Sequence, residues 1–210
     1  MEKPIGVKIK DIELTNVRIT MDVLTAFGTD VFDDDNDNEH MDIVKGKITY
    51  FDPELFDEEG IDDQEIGSFT CKILYGDEQK IYNALENSSL CDSQYAQELF
   101  DVRYHNDGRI SYSVREEYYE LMSEVYENRF MIFDRVEIDE MYRGNKILGR
   151  VIHTIRRTFN MQIFTKPYPL QHEGNENPLT FKHDLRKVVN SYKRIGFKRG
   201  RKRSEYFILW

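Results

Sequence analysis

Arg143, Lys146 and Arg150 cluster where an apolar run gives way to an amphipathic one, and three cations so placed can hold an anion. The surrounding stretch, Phe130 to Phe159, reads as a strand, a turn centred on Tyr142-Arg143-Gly144-Asn145, and a helix. The first N–H groups of such a helix have no intrahelical acceptor. They and the positive dipole end would face the turn, so a phosphate there would be stabilised from several directions. The plain alternative is a strand, turn and helix with a solvated basic end. On the strand, Val136 and Ile138 face one way while Arg135, Glu137 and Asp139 face the other, which puts carboxylates on its polar side.

Other elements must position this stretch. Phe130 to Phe133 are four apolar residues in a row, as in a central strand buried on both faces. Leu148, Val151, Ile152, Ile155 and Phe159 form a stripe that packs one helix face on a sheet. Upstream, Gly6 to Met21, Ile43 to Phe51 and Glu65 to Tyr75 read as strands, the last two as an antiparallel pair. Helices are expected at Glu78 to Leu85, Asp92 to Phe100 and Val114 to Tyr126, the last started by a capping box of Ser113 and Glu116. Downstream come a strand at Met161 to Lys166, a helix at Phe181 to Ile195 with Leu185, Val188, Val189 and Tyr192 on one face, and a strand closing at Trp210.

Composition narrows the class. The 210 residues, 40% hydrophobic and 13% aromatic, suit one domain over 1–210. Within it, 1–128 holds strands, acidic loops and helices, and 129–210 holds the anion-binding half. No apolar run reaches the ~18 residues of a membrane span and the N-terminus lacks a secretory h-region, so a cytoplasmic protein is expected. Cys71 and Cys91 form neither a disulfide framework nor a zinc site, and no metal is expected.

Net charge is −10, but residues 30–65 alone carry 15 acids against Lys45 and Lys47, leaving the remainder at +3. Asp33, Asp35 and Asp37 alternate as in a calcium loop. Asn38 stands where the turn glycine belongs and Val44 where the twelfth-position glutamate belongs, so a plain acidic loop is expected. Seven Lys or Arg between Lys193 and Arg203 could attract nucleic acid. The chain is acidic overall and few aromatics interleave, so nucleic acid ranks low as a partner. Walker, HExxH, GxSxG and GxGxxG patterns are absent.

The order strand, helix, strand, helix, strand, strand from Phe130 to Trp210 resembles the GNAT superfamily of acetyl-CoA-dependent N-acyltransferases. In that family a [QR]xxGx[GA] loop joins the fourth strand to the third helix, and a Y-x-x-x-G-F run ends the fourth helix. Here Tyr142-Arg143-Gly144 begins the loop, and Tyr192-Lys193-Arg194-Ile195-Gly196-Phe197 matches the second motif. The loop departs from the pattern: Lys146 and Leu148 stand at the two glycine positions, unless one residue is inserted and Gly149 takes the last. The run Lys166-Pro167-Tyr168-Pro169-Leu170-Gln171 also resembles the end of strand five in a group of poorly characterised bacterial GNAT-like proteins.

The resemblance implies an α/β (α+β) fold with a mixed, mostly antiparallel central sheet flanked by helices, and acyl transfer from acetyl-CoA to a primary amine on a small molecule or protein. It implies that Arg143, Gly144, Asn145, Lys146, Leu148, Gly149 and Arg150 hold the pyrophosphate while Val136 and Ile138 hydrogen-bond the pantetheine arm. Tyr192 would be the acid toward the departing thiolate and Glu137 the base, with Asp139 and His172 behind it. His172 is otherwise expected to be exposed. The alternative is a GNAT-like module without catalysis that senses CoA or binds protein. A homodimer is left open.

Overall fold

The computed structural model describes residues 14–24, 40–51, 63–119, 129–174 and 178–210. The calcium-like loop and most of the acidic stretch 52–63 lie outside these residues, as does the start of the Gly6 to Met21 strand.

Among the described residues, seven strands build one sheet. In chain order the strands are β1 (Val17–Leu24), β2 (Met41–Tyr50), β3 (Gln64–Tyr75), β4 (Phe100–Tyr104), β5 (Ile110–Val114), β6 (Arg129–Ile138), β7 (Ile163–Thr165), β8 (Lys198–Arg199) and β9 (Phe207–Leu209). The helices are α1 (Glu78–Ser88), α2 (Leu90–Leu99), α3 (Ile147–Phe159) and α4 (Pro178–Ile195). The large sheet runs β1-β2-β3-β6-β7-β9-β8, and β4 pairs with β5 in a separate hairpin. Every pairing is antiparallel except β6 with β7, so the expected mixed, mostly antiparallel sheet flanked by helices is present.

Each face of the sheet carries its own core. On one face Met131, Phe133 and Tyr192 pack with Val151, Ile152 and Ile155 of α3. On the other, Phe130, Ile132 and Phe164 pack with Ile81 and Leu85 of α1 and with Tyr95 and Leu99 of α2. This two-sided burial explains the unbroken apolar run that starts β6. The α3 stripe falls at Ile147, Val151, Ile152 and Ile155, with Leu148 and Phe159 only partly covered.

One expected element is replaced. Val114 ends β5, a 3-10 turn spans Glu116–Tyr118, and the predicted Ser113 cap is a strand residue. The rest of the stretch expected to be helical, 120–126, lies outside the described residues. Phe100, predicted as helix end, begins β4. The starts of α1 and α2 are capped by side chains: Asp77 accepts from Lys80 N at 2.9 Å and Ser89 from Asp92 N at 3.2 Å.

Candidate active site at the parting of two strands

The parallel pair of β6 and β7 is short. Its register consists of Met131 with Ile163 and Ile132 with Phe164, whereas β3 accompanies β6 as far as Ile138. Beyond Ile132, one edge of β6 therefore has no strand partner among the described residues. The last link across the gap is a side chain: Thr165 Oγ1 donates to the Phe133 carbonyl at 2.7 Å.

The direction of the exposed edge follows from alternation. Asp139 N–H donates to Ile66 O at 2.8 Å, so Val136 and Ile138 turn their main-chain polar groups away from β3 and into the gap. A bulge makes this phase possible. Thr70 faces Arg135 and Cys71 faces Phe133, leaving Asp134 as an extra residue in β6.

Tyr192 comes to the root of this fork from α4. Its ring meets Phe133 at 6.3 Å and Phe197 at 5.1 Å, and the turn after α4 is closed by Phe197 N–H donating to Tyr192 O at 3.1 Å. Burial pushes the phenol pKa well above the ordinary tyrosine range, the Thr165 hydroxyl beside it opposes that rise, and Cys71 adds to it. The Phe133 carbonyl can only accept, so Thr165 uses its one proton there, and only by turning away from it could Thr165 donate to a Tyr192 phenolate.

At the far end of β6 a 3-10 turn, Glu140–Tyr142, leads into the basic turn. Gly144 has φ 96°, and Lys146, the residue before α3, is left-handed at φ 59° and ψ 14°. Lys146 thus keeps the backbone conformation that glycine favours at the position where the loop pattern has glycine. No side chain caps α3, and Arg150 N–H is the first to return into the helix, to Lys146 O at 3.2 Å. The main-chain N–H groups of Ile147, Leu148 and Gly149 stand at the open helix end.

The three cations of this turn are used differently. Arg143 donates through Nε to Ile138 O at 2.8 Å, over the exposed edge of β6, and Arg150 donates to Val17 O at 3.0 Å, tying α3 to β1. Lys146 is exposed and its side chain has no partner among the described residues. Asn145 Nδ2 donates to Tyr142 O at 3.0 Å and stiffens the turn. The Leu148 side chain packs against the core, and a Cβ on Gly149 would meet Ile195 only at an ordinary 3.8 Å.

Glu137 projects on the polar face of β6. Arg135 Nε binds its Oε1 at 2.5 Å, and the same guanidinium reaches Glu173 beyond β7 at 2.8 and 3.0 Å. The hydrogen bonds it donates to Glu173 and Glu137 raise the Arg135 pKa further, so the guanidinium at the mouth of the fork stays charged. Asp139 serves the main-chain link to Ile66. His172, expected to be exposed, is buried. Its Nε2 lies 3.0 Å from Asp184 Oδ2 and its ring meets Phe181 edge-on, because α4 folds back over the loop after β7.

Sequence reasoning missed the groups on the other side of the fork. Lys72 Nζ lies 2.6 and 2.7 Å from the two oxygens of fully buried Asp92, and 3.5 Å from Asp134 Oδ2. Ser89 Oγ donates to Asp92 at 2.7 Å. The spacing Ser89-x-x-Asp92, a side-chain cap three residues before an acid, was the available signal.

No family model and no curated protein matches the chain. A solved structure, that of AtaTR bound with AcCoA, aligns over 91% of this chain and 92% of its own at 11% identity, with a TM-score of 0.35. Likeness at that level assigns no ligand here.

Proposed function

We propose that the chain is an N-acyltransferase that binds acetyl-CoA at the fork between β6 and β7 and transfers the acetyl group to a primary amine. One observation carries the reading: the strands part immediately beyond Ile132 and Phe164, with Tyr192 at the root. An extended amide-bearing chain needs such an unpaired strand edge, and Val136 and Ile138 offer one. The pyrophosphate would rest on the N–H groups at the start of α3, with Lys146 above it. The Tyr192-to-Phe197 motif and the glycine-like Lys146 support the same ligand.

In the reaction the amine nitrogen attacks the thioester carbonyl carbon, the C–S bond breaks and the thiolate takes a proton. Tyr192 stands where that proton is needed. A phenol raised above its ordinary value of ~10 gives a proton uphill to a thiolate whose thiol has pKa ~8.5, so its main contribution is a hydrogen bond to sulfur. Glu137 would serve as base only after release from Arg135.

A second reading is favoured by a separate observation. Arg143 covers the Ile138 carbonyl, and Arg135 with Glu173 bridges the fork, as in a module that holds or senses CoA without turning it over. Calorimetry with acetyl-CoA, followed by thiol release with an amine panel, separates the readings. Micromolar binding with release supports transfer, and binding without release supports the module. No heat at millimolar acetyl-CoA sinks both.

A further inference from the structure

The geometry points to Asp134 as the group that receives the acceptor amine, which is a cationic primary amine entering from the α1 and α2 side. This rests on the transferase reading above. Asp134 is the first residue of β6 beyond Phe133, where the fork opens; strand alternation turns it to the face opposite Tyr192, and the bulge leaves it without a partner on β3. Lys72, which reaches it, lies across from Ile132 on the α1 and α2 face. Glu137 stands three residues further out, roughly 10 Å along the strand, and is held by Arg135.

Charge decides the class of acceptor. Lys72 spends two short contacts on Asp92, whose oxygens are completed by Ser89, and touches Asp134 only at 3.5 Å. One cation thus faces two carboxylates, and the uncompensated charge sits on Asp134, whose side chain is 27% exposed while that of Asp92 is 0%. Tyr95 and Cys71 both feel its field. An ammonium would complete the pair, and a neutral or anionic acceptor would not.

The proton steps balance across the sheet. The Asp134 carboxylate takes one proton from the bound ammonium, and the freed nitrogen lone pair attacks the thioester carbon. The C–S electron pair leaves as thiolate, which accepts a hydrogen bond or proton from Tyr192 on the other face. The nitrogen, now bonded to the acyl carbon, releases its second proton to water, Asp134 gives its proton up to solvent, and a Tyr192 that has protonated the thiolate regains its proton from solvent, so that one proton is released in all.

The test measures CoA thiol release with three probes, spermidine, lysine amide and aniline, the last neutral at pH 7, for wild type, Asp134→Asn and Asp134→Glu. The proposal expects at least a tenfold preference in kcat/KM for a cationic probe. It expects Asp134→Asn to lose at least thirtyfold in kcat with the cationic probes, while acetyl-CoA affinity stays within twofold. Asp134→Glu should recover part of the rate. Aniline as the better substrate, an Asp134→Asn variant with wild-type rate, or wild-type protein that binds acetyl-CoA yet uses no amine would each overturn it. Failure to bind acetyl-CoA would instead remove the transferase reading beneath it.

Discussion

Thr165 donates its hydroxyl to the Phe133 carbonyl at 2.7 Å, and this side-chain bond replaces the next main-chain link between β7 and β6. It fixes the place where the strands separate and leaves its oxygen facing Tyr192. When Tyr192 gives up its proton, Thr165 can turn from the carbonyl and donate to the phenolate, lowering the cost of that charge.

Thr165→Val keeps the shape and removes the hydroxyl. A hydrogen bond to a charged group contributes about 1.5–3 kcal/mol, so kcat for acetyl transfer should fall between ~10-fold and ~100-fold. The KM for acetyl-CoA should hold, and Thr165→Ser should restore the rate. In a Tyr192→Phe background the same change should add little. An equal loss in both backgrounds, read from steady-state kinetics, would assign Thr165 a packing role only.

Lys146 holds a left-handed conformation that costs a side-chain-bearing residue about 1 kcal/mol. Lys146→Gly relieves that strain but frees the unfolded chain, so stability should change by less than ~1 kcal/mol in either direction. Acetyl-CoA affinity should drop several-fold, with a shallower dependence on salt, because one exposed cation near the pyrophosphate is gone. Denaturant melts and calorimetry at two ionic strengths check both halves.

A network on the α2 side gives a stability prediction. Glu98 accepts from Arg201 at 2.8 and 2.9 Å, from Ser204 at 2.7 Å and from Tyr118, binding α2 to the C-terminal turn. Burial disfavours its charge, but these donors together hold its pKa below the usual glutamate range. Glu98→Ala leaves Arg201, Ser204 and Tyr118 short of an acceptor and should cost roughly 2–4 kcal/mol in a urea melt. A loss under 0.5 kcal/mol would contradict the network's role.

Acid should loosen the strap after β7. The hydrogen bond from His172 leads the groups that depress the Asp184 pKa from 3.8 to about 2, with burial opposing. A depressed carboxylate contributes stability that is present above its unfolded value and lost as pH falls through the folded one, here between pH 3.8 and about 2. Wild-type melting temperature should drop more steeply over that window than that of Asp184→Asn. Parallel slopes would contradict the pair's contribution.

What could be read from the chain beforehand follows from how local each feature is. β3, β6 and α3 declare themselves by unbroken or periodic apolar residues, and their ends fall within a few residues of expectation. The β4–β5 hairpin went unread although Asp107-Gly108, with Gly108 at φ 83°, is a turn signal between two alternating runs. The helix expected from Val114 rested on a stripe shared with Tyr118 and on Ser113 as its cap, but Ser113 and Val114 belong to β5.

The site was legible only where a motif was local. Tyr192, Gly196 and Phe197 lie within six residues, and the basic turn within eight. Asp134 gained its place from a bulge against β3, and Lys72 met Asp92 across twenty positions of chain. His172 was buried by the return of α4. These depend on pairing and packing between distant segments, which periodicity does not encode.

The central claim is that acetyl-CoA lies along the exposed edge of β6, and amide NMR during titration with acetyl-CoA tests it at the atoms concerned. The account predicts saturable shifts at the N–H groups of Val136, Ile138 and Ile147 to Gly149, with the β4–β5 hairpin unmoved. Saturation at millimolar acetyl-CoA without shifts at Val136 and Ile138 would contradict it.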